Sequence, residues 1–342
     1  MDEKKYDVII IGGGLSGCTL GYLLRKKSKK VLIVEKQKLK NKSKLCGGLL
    51  TKKAFSLLER IYGVENIKEL GVCSYEKAFI KNRDDILRLD DLKVYCVHRK
   101  HLDDFVLENY LKIGGDILEN TTYDSLDVSK QEIVIKGESY KYEKLVGADG
   151  VHSQLRKDLI GRIQNCNFAL EVYTKDMKNK DVSVYFFEEM NSYGWIFPNK
   201  ENVSVGVGEV SGRLKIDNLF NQYLSMIDIK SKKKRGAFLP RGNDILLKKF
   251  ENVYFIGDSA GLISPITGEG IYYALFSAKL LSENMSKDYV KNMKLVKKQI
   301  RKELFFKKFV YHNFTRNYLF SRYNNNVRIK KLVNRFAGFL LK

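Results

Sequence analysis

Proline is scarce in this chain, with 3 residues in 342, and tryptophan occurs once. No Gly/Ser-rich linker, low-complexity tract or fixed-period repeat is present, which argues against rods, solenoids and flexibly tethered modules. The five cysteines (Cys18, Cys46, Cys73, Cys96, Cys166) are odd in number and widely spaced, without a C-x-x-C pair. They argue against a zinc site or a disulfide framework and predict a cytoplasmic location. The four histidines, His98, His101, His152 and His312, show no ligand spacing, so no metal is expected. No Ser-His-Asp constellation is arguable, and no apolar run reaches the roughly 18 residues that a membrane-spanning helix needs. Leu15-Ser16-Gly17-Cys18 has the look of a lipoprotein cleavage box. The acids Asp2, Glu3 and Asp7 and the run Gly12-Gly13-Gly14 spoil a signal helix there, and export is not expected.

What is present is ample apolar and charged material, 44% hydrophobic and 30% charged residues. That suits one large core or two joined domains. Val8-Ile9-Ile10-Ile11 is a continuous β-branched run, as in a parallel strand buried on both faces. Gly12-x-Gly14-x-x-Gly17 follows, then a helical stretch to Lys30 and a second apolar run, Val31 to Val34, closed by Glu35. Gly12 permits a tight turn, Gly14 lets backbone approach a pyrophosphate, and Gly17 lets helix and strand pack closely. The pyrophosphate would sit on the helix N-terminus, and Glu35 would accept from ribose hydroxyls. From this segment alone both NAD and FAD are open.

Two distant segments narrow the choice. Residues 253–274 run from an apolar strand through Gly257-Asp258 and a proline-containing loop to Gly268-x-Gly270-Ile271 at a helix start. An acid at that turn can accept from ribityl hydroxyls. The Gly-x-Gly helix start can aim amide groups and a positive dipole at an electron-rich flavin edge. Residues 144–156 again end an apolar strand in Gly147-Ala148-Asp149-Gly150. Cys46-Gly47-Gly48 lies eleven residues after Glu35, and Tyr193-Gly194-Trp195-Ile196-Phe197-Pro198 contains the single tryptophan.

Together these motifs resemble the geranylgeranyl reductase family, within the p-hydroxybenzoate hydroxylase-like FAD proteins, over about residues 5–290. The resemblance implies FAD contacts at Ser16, Glu35, Cys46, Gly47, Arg99, Asp258, Gly270 and Ile271. It also implies a substrate cavity lined by Tyr193, Trp195 and Phe197 beside the flavin. Leu49 departs from the family, where another glycine is common, and the chain is short for the group. Two bland readings stand beside these roles. The period-two aromatics could face a sheet core, and Cys46 could be an inert small hydrophobe rather than a proton donor.

The expected fold is α/β. A discontinuous Rossmann-type FAD-binding domain (1–70, 96–165, 241–290) would carry an inserted antiparallel-sheet substrate domain (71–95, 166–240) and a basic helical C-terminal segment (291–342). With no second G-x-G-x-x-G, the reductant, NAD(P)H or a protein electron donor, would visit transiently. The expected activity is reduction of isolated C=C bonds in an isoprenoid chain or lipid. The alternative is a monooxygenase, or less so a halogenase, acting on a small aromatic or polyketide. Cys46, Tyr193 and Trp195 would carry the chemistry.

Lys+Arg 62 against Asp+Glu 40 gives a net charge of +22, which favours anionic partners. No nucleic-acid module accompanies it, so no nucleic acid is expected. From Leu304 to Lys342 there are nine basic residues and no acid, and Ile329, Leu332, Val333, Phe336 and Leu340 follow helical spacing. Such a helix can lie on the anionic inner face of a membrane, or it can dock on the protein's own core.

Overall fold

The β-branched run at the N-terminus has no polar face to turn to water, so its strand, Lys4–Ile11, takes the centre of a sheet. In the computed structural model, which describes residues 4–42, 44–90, 92–177, 180–187, 192–209, 216–230, 233–285 and 287–341, Ile9 and Ile10 have no exposed surface. The parallel order is Val253–Phe255, Glu138–Gly147, Lys4–Ile11, Val31–Val34, Asp116–Leu118. Antiparallel Lys248–Phe250 borders one edge, while the hairpin strands Glu132–Ile135 and Ser125–Asp127 branch from Glu138–Gly147. Helices Leu15–Arg25, Arg99–Lys112 and Ile271–Glu283 pack beside this sheet and close its core. Successive strands from three distant stretches of chain therefore end at one edge of the sheet, where ligands bind in open α/β folds.

The second sheet has seven strands in the order Arg235–Pro240, Cys166–Thr174, Val203–Glu209, Ser192–Pro198, Ser183–Phe186, Ala78–Asn82, Asp85–Leu89. All neighbours are antiparallel except Ser183–Phe186 with Ala78–Asn82. Strand alternation gives it two apolar faces. Leu170, Val172, Ile196 and Val205 point to helix Ile216–Met226, which covers that side through Leu219, Phe220 and Tyr223. Ala169, Trp195 and Phe197 point the other way, toward Leu45 of the dinucleotide domain. Residues 71–95 do not all join this sheet. Cys73–Tyr75 pairs with Val94–Cys96, which pairs with Leu49–Thr51, in a separate three-stranded sheet.

Residues 294–341 form three helices: Lys294–Val310, Asn313–Tyr323 and Val327–Leu341. They are docked, not extended. Glu303 is buried and its Oε2 accepts from Ser264 Oγ at 2.6 Å. Phe320 and Tyr323 cluster with Leu87 of the second sheet, and Val333 packs on that cluster. In the terminal helix Ala337 and Leu340 are buried and the Phe336 ring meets Phe306, whereas Leu332 is exposed.

Candidate functional site

Segments far apart in sequence meet along one cavity of about 500 Å³ between the two sheets. Its first wall is the turn after Lys4–Ile11. Gly12 has φ +108°, and a Cβ there would stand 2.4 Å from the Ala148 carbonyl oxygen, so only glycine fits. A Cβ on Gly17 would stand 1.9 Å from the Gly12 carbonyl oxygen. Gly14 starts helix Leu15–Arg25 with no side-chain cap, and a Cβ there would meet only Lys42 Nζ, at 4.0 Å. The first amides of that helix are thus free for an anion. Ser16, in its first turn, also lines the cavity.

Glu35 stands at the end of Val31–Val34, nearly fully buried. Its Oε2 accepts from the Gly13 amide at 2.8 Å and from Lys42 Nζ at 2.5 Å, and its Oε1 accepts from the Gln37 amide at 3.0 Å. Burial alone would raise this carboxyl, but Lys42 and the two amides outweigh it and hold the pKa below the usual value. Asp258, following Val253–Phe255, has a similar partner: its Oδ2 accepts from Lys44 Nζ at 2.5 Å. Gly268 sits at φ +71° and Gly270 starts helix Ile271–Glu283, again without a side-chain cap. Two uncapped helix starts and two buried acids therefore border one cavity. Arg99 lines it as well, but its guanidinium is held by Asp103 at 2.8 Å and lies beside Cys46. Ser259 Oγ joins the Gly257–Ala260 turn to the Gly147–Gly150 turn by donating to the Gly147 carbonyl at 2.6 Å, and Arg156, with no exposed surface, donates to the Ser259 carbonyl at 3.2 Å.

The opposite wall is aromatic. Tyr193, Trp195 and Phe197 all line the cavity from Ser192–Pro198. They belong to a packed core cluster too, so both readings of their alternation hold at once. Trp195 lies against Gly206, where a Cβ would come within 2.1 Å of the indole, and Tyr193 lies against Gly208. The Tyr193 hydroxyl donates to the Thr267 carbonyl at 3.2 Å, tying this wall to the turn before Ile271. The Cys46-Gly47 turn is seated on the same wall. A Cβ on Gly47 would stand 2.7 Å from the Phe197 ring and 2.9 Å from Trp195 Nε1.

Several residues here were not singled out from the sequence. Gly206 and Gly208 matter because they face Trp195 and Tyr193 across a strand pair, and their only local sign was one more Gly-x-Gly. Lys42, Lys44 and Glu171 gave no sign. Among the described residues one group could hold a metal ion, His98, His101 and Glu201, with ligand atoms within 4.8 Å of one another. The fold brings Glu201 to a helix start about a hundred residues away, which histidine spacing could not reveal. Burial, followed by the neighbouring His101, lowers the His98 pKa, and Arg235 and Lys100 add to the fall. We assign no metal to this group.

A cavity lined by Gly12 and Gly14, two uncapped helix N-termini and two buried carboxylates fit a dinucleotide with a diphosphate and polyol hydroxyls. The family described as FAD binding domain matches residues 5–217. The chain belongs to that family. An uncharacterised protein of Methanosarcina barkeri is 30% identical over 306 residues, 83% of this chain and 75% of that one. The geranylgeranyl diphosphate reductase of Rhodobacter capsulatus is 26% identical over 300 residues, 82% of this chain and 74% of that one. In fold, a geranylgeranyl bacteriochlorophyll reductase-like protein from Thermoplasma acidophilum superposes with a TM-score of 0.78 at 19% identity, covering 95% of this chain and 93% of that one. A halogenase solved with FAD superposes at 0.69 and 16% identity, over 86% of this chain and 73% of that one. The protein is an FAD-dependent oxidoreductase related in sequence to the geranylgeranyl reductases.

Proposed function

We propose that this oxidoreductase saturates isolated C=C bonds in an isoprenoid chain carried by a lipid. FAD, when bound and reduced, supplies a hydride to one alkene carbon. The residues of the chain do the rest. The helix starts at Gly14 and at Gly270 and Ile271 hold electron-rich groups of the cofactor, and Glu35 and Asp258 accept from its hydroxyls. Tyr193, Trp195 and Phe197 receive an apolar chain and keep water out. Cys46 holds the proton that the other carbon needs. The observation that carries this reading is the seating of the Cys46-Gly47 turn on Trp195 and Phe197, which gives a thiol and a flat apolar wall one shared cavity. The likeness to a protein named geranylgeranyl diphosphate reductase supports it. The reductant, NAD(P)H or a protein carrier, visits from solution.

We assign the lipid-facing surface to the C-terminal helices. Leu295 and Phe314 are each 77% exposed, and Phe305, Phe309 and Tyr318 are exposed with them. Exposed Lys298, Lys302 and Lys308 stand among them, a pattern that suits the headgroup region of an anionic bilayer.

The deciding assay is anaerobic. With dithionite as reductant, a geranylgeranyl lipid should gain one H₂ in mass per saturated bond. Trp195→Ala should abolish this with FAD still bound, and Cys46→Ser should lower kcat more than it raises KM. A product carrying an added oxygen atom, formed only in air, would refute the reading and support the hydroxylase alternative.

A further inference from the structure

Glu171 lies mid-strand in Cys166–Thr174, paired with Gly206 on one side and Arg235 on the other, and it has no exposed surface. Its Oε2 accepts from Ser204 Oγ at 3.2 Å, and Ser204 Oγ accepts from Trp195 Nε1 at 2.9 Å. The Cys46 amide and the Tyr173 hydroxyl both face the carboxyl. That hydroxyl also donates to the Cys46 carbonyl at 3.3 Å. Oε1 closes no hydrogen bond among the described residues. One buried carboxyl thus stands behind both halves of the site, the Cys46-Gly47 turn and the Trp195 indole. Nothing in the proposed chemistry uses it directly, and an incompletely bonded buried acid is costly unless it has a task.

We propose that Glu171 is a titrating positioning residue. Ionised, it holds Ser204 and through it the Trp195 indole in its working place, and it attracts the Cys46 amide that faces it; protonated, it loosens both. Charge-assisted hydrogen bonds are about twice as strong as neutral ones, so gain of the proton weakens the Ser204 bond and the pull on the Cys46 amide together. The groups facing it are few. Tyr173 comes from its own strand, Arg235 from Arg235–Pro240, Ser204 from Val203–Glu209, and Cys46 from the turn above, with Arg99 behind Cys46. Burial pushes the carboxyl up to about 7, against the pull of Arg235, Ser204, the Cys46 amide and Tyr173. The change of state therefore falls near neutral pH.

The inference rests on the proposed reductase function only for its effect on turnover. Trp195 is the single tryptophan, so emission from the flavin-loaded protein reports the indole directly, with or without substrate. Wild-type emission should titrate in one step near pH 7, and Glu171→Gln should remove the step. Ser204→Ala, which keeps the carboxyl but cuts its link to the indole, should shrink the step at least twofold. In turnover, kcat should rise with pH through that step in the wild type and lie flat in Glu171→Gln, with KM within about twofold. Wild-type emission that stays constant from about pH 5 to pH 8.5, or a step that survives in Glu171→Gln, overturns the proposal. Failure to reduce any prenyl lipid leaves the spectral test intact and refutes only the function.

Discussion

Replacing Glu171 by glutamine should also alter how stability depends on pH, and the size follows from burial. The carboxyl ordinarily titrates near 4.5 and is raised to about 7 in the fold. An acid whose pKa is raised binds its proton more tightly folded than unfolded, so folding is favoured below the unfolded value and loses that advantage as pH climbs to the folded one. A rise of this size is worth about 3 kcal/mol by linkage, an upper figure for one buried group. Spread over an unfolding entropy of about 2 cal/mol/K per residue, it amounts to a Tm change of roughly 4 °C. Wild type and Glu171→Gln should be compared by thermal melting of the flavin-loaded protein at about pH 4.5 and about pH 8. The variant should gain roughly 4 °C on the wild type between those two conditions. Melting temperatures that move in parallel would show that Glu171 does not change its proton affinity on folding, and the reasoning from burial would fail.

Gly14→Glu places a carboxylate where the helix start faces an anion and should cut flavin occupancy severalfold, read from the absorbance ratio of the purified protein. Asp258→Ala should weaken occupancy as well, and undiminished yellow protein in both variants would refute the assigned cofactor contacts. Tyr193→Phe removes the bond to the Thr267 carbonyl, costs about 1 kcal/mol, and should lower Tm by one or two degrees; an unchanged Tm would mean that the tie carries no stability. Phe305→Ser with Phe309→Ser should lower pelleting with anionic liposomes several-fold, and wild-type pelleting should fall as salt rises. Pelleting that ignores both changes would remove the membrane from the reading.

What could be read from the chain alone was what depends on neighbours in sequence. Val8 to Ile11, Gly12 and Gly14 announce a strand and a turn because each residue's reason lies within a few positions, and the structure builds that strand and turn. The parallel sheet, the inserted sheet and the helical end followed from the same kind of local pattern. Gly206 and Gly208 were passed over because their meaning comes from strand pairing with Trp195 and Tyr193. Glu171 was invisible for a related reason: one acid among apolar residues on a strand reads as a solvent-facing position, and only the packed sheet shows it buried behind Cys46. The C-terminal helix shows the limit most plainly. Its spacing revealed an amphipathic face but not the surface that receives it. Leu340 and Val333 dock on the protein, while the exposed aromatics belong to the two helices before it.

The order of strands in the parallel sheet bears on how the protein is made. Lys4–Ile11 leaves the ribosome before the other strands of its sheet yet occupies the middle of it, and its neighbour Glu138–Gly147 is translated more than a hundred residues later. Val253–Phe255, Asp258 and the helix start at Ile271 come about another hundred residues after that. At roughly 5–20 residues per second, the nascent chain holds one edge of that apolar strand unpaired for several seconds, although Val31–Val34 covers the other edge early. The cofactor cannot be gripped from both sides until the stretch near Ile271 has emerged. Flavin uptake is therefore a late event in biogenesis, and it seals a long-range topology whose strand edges are open to wrong partners until then.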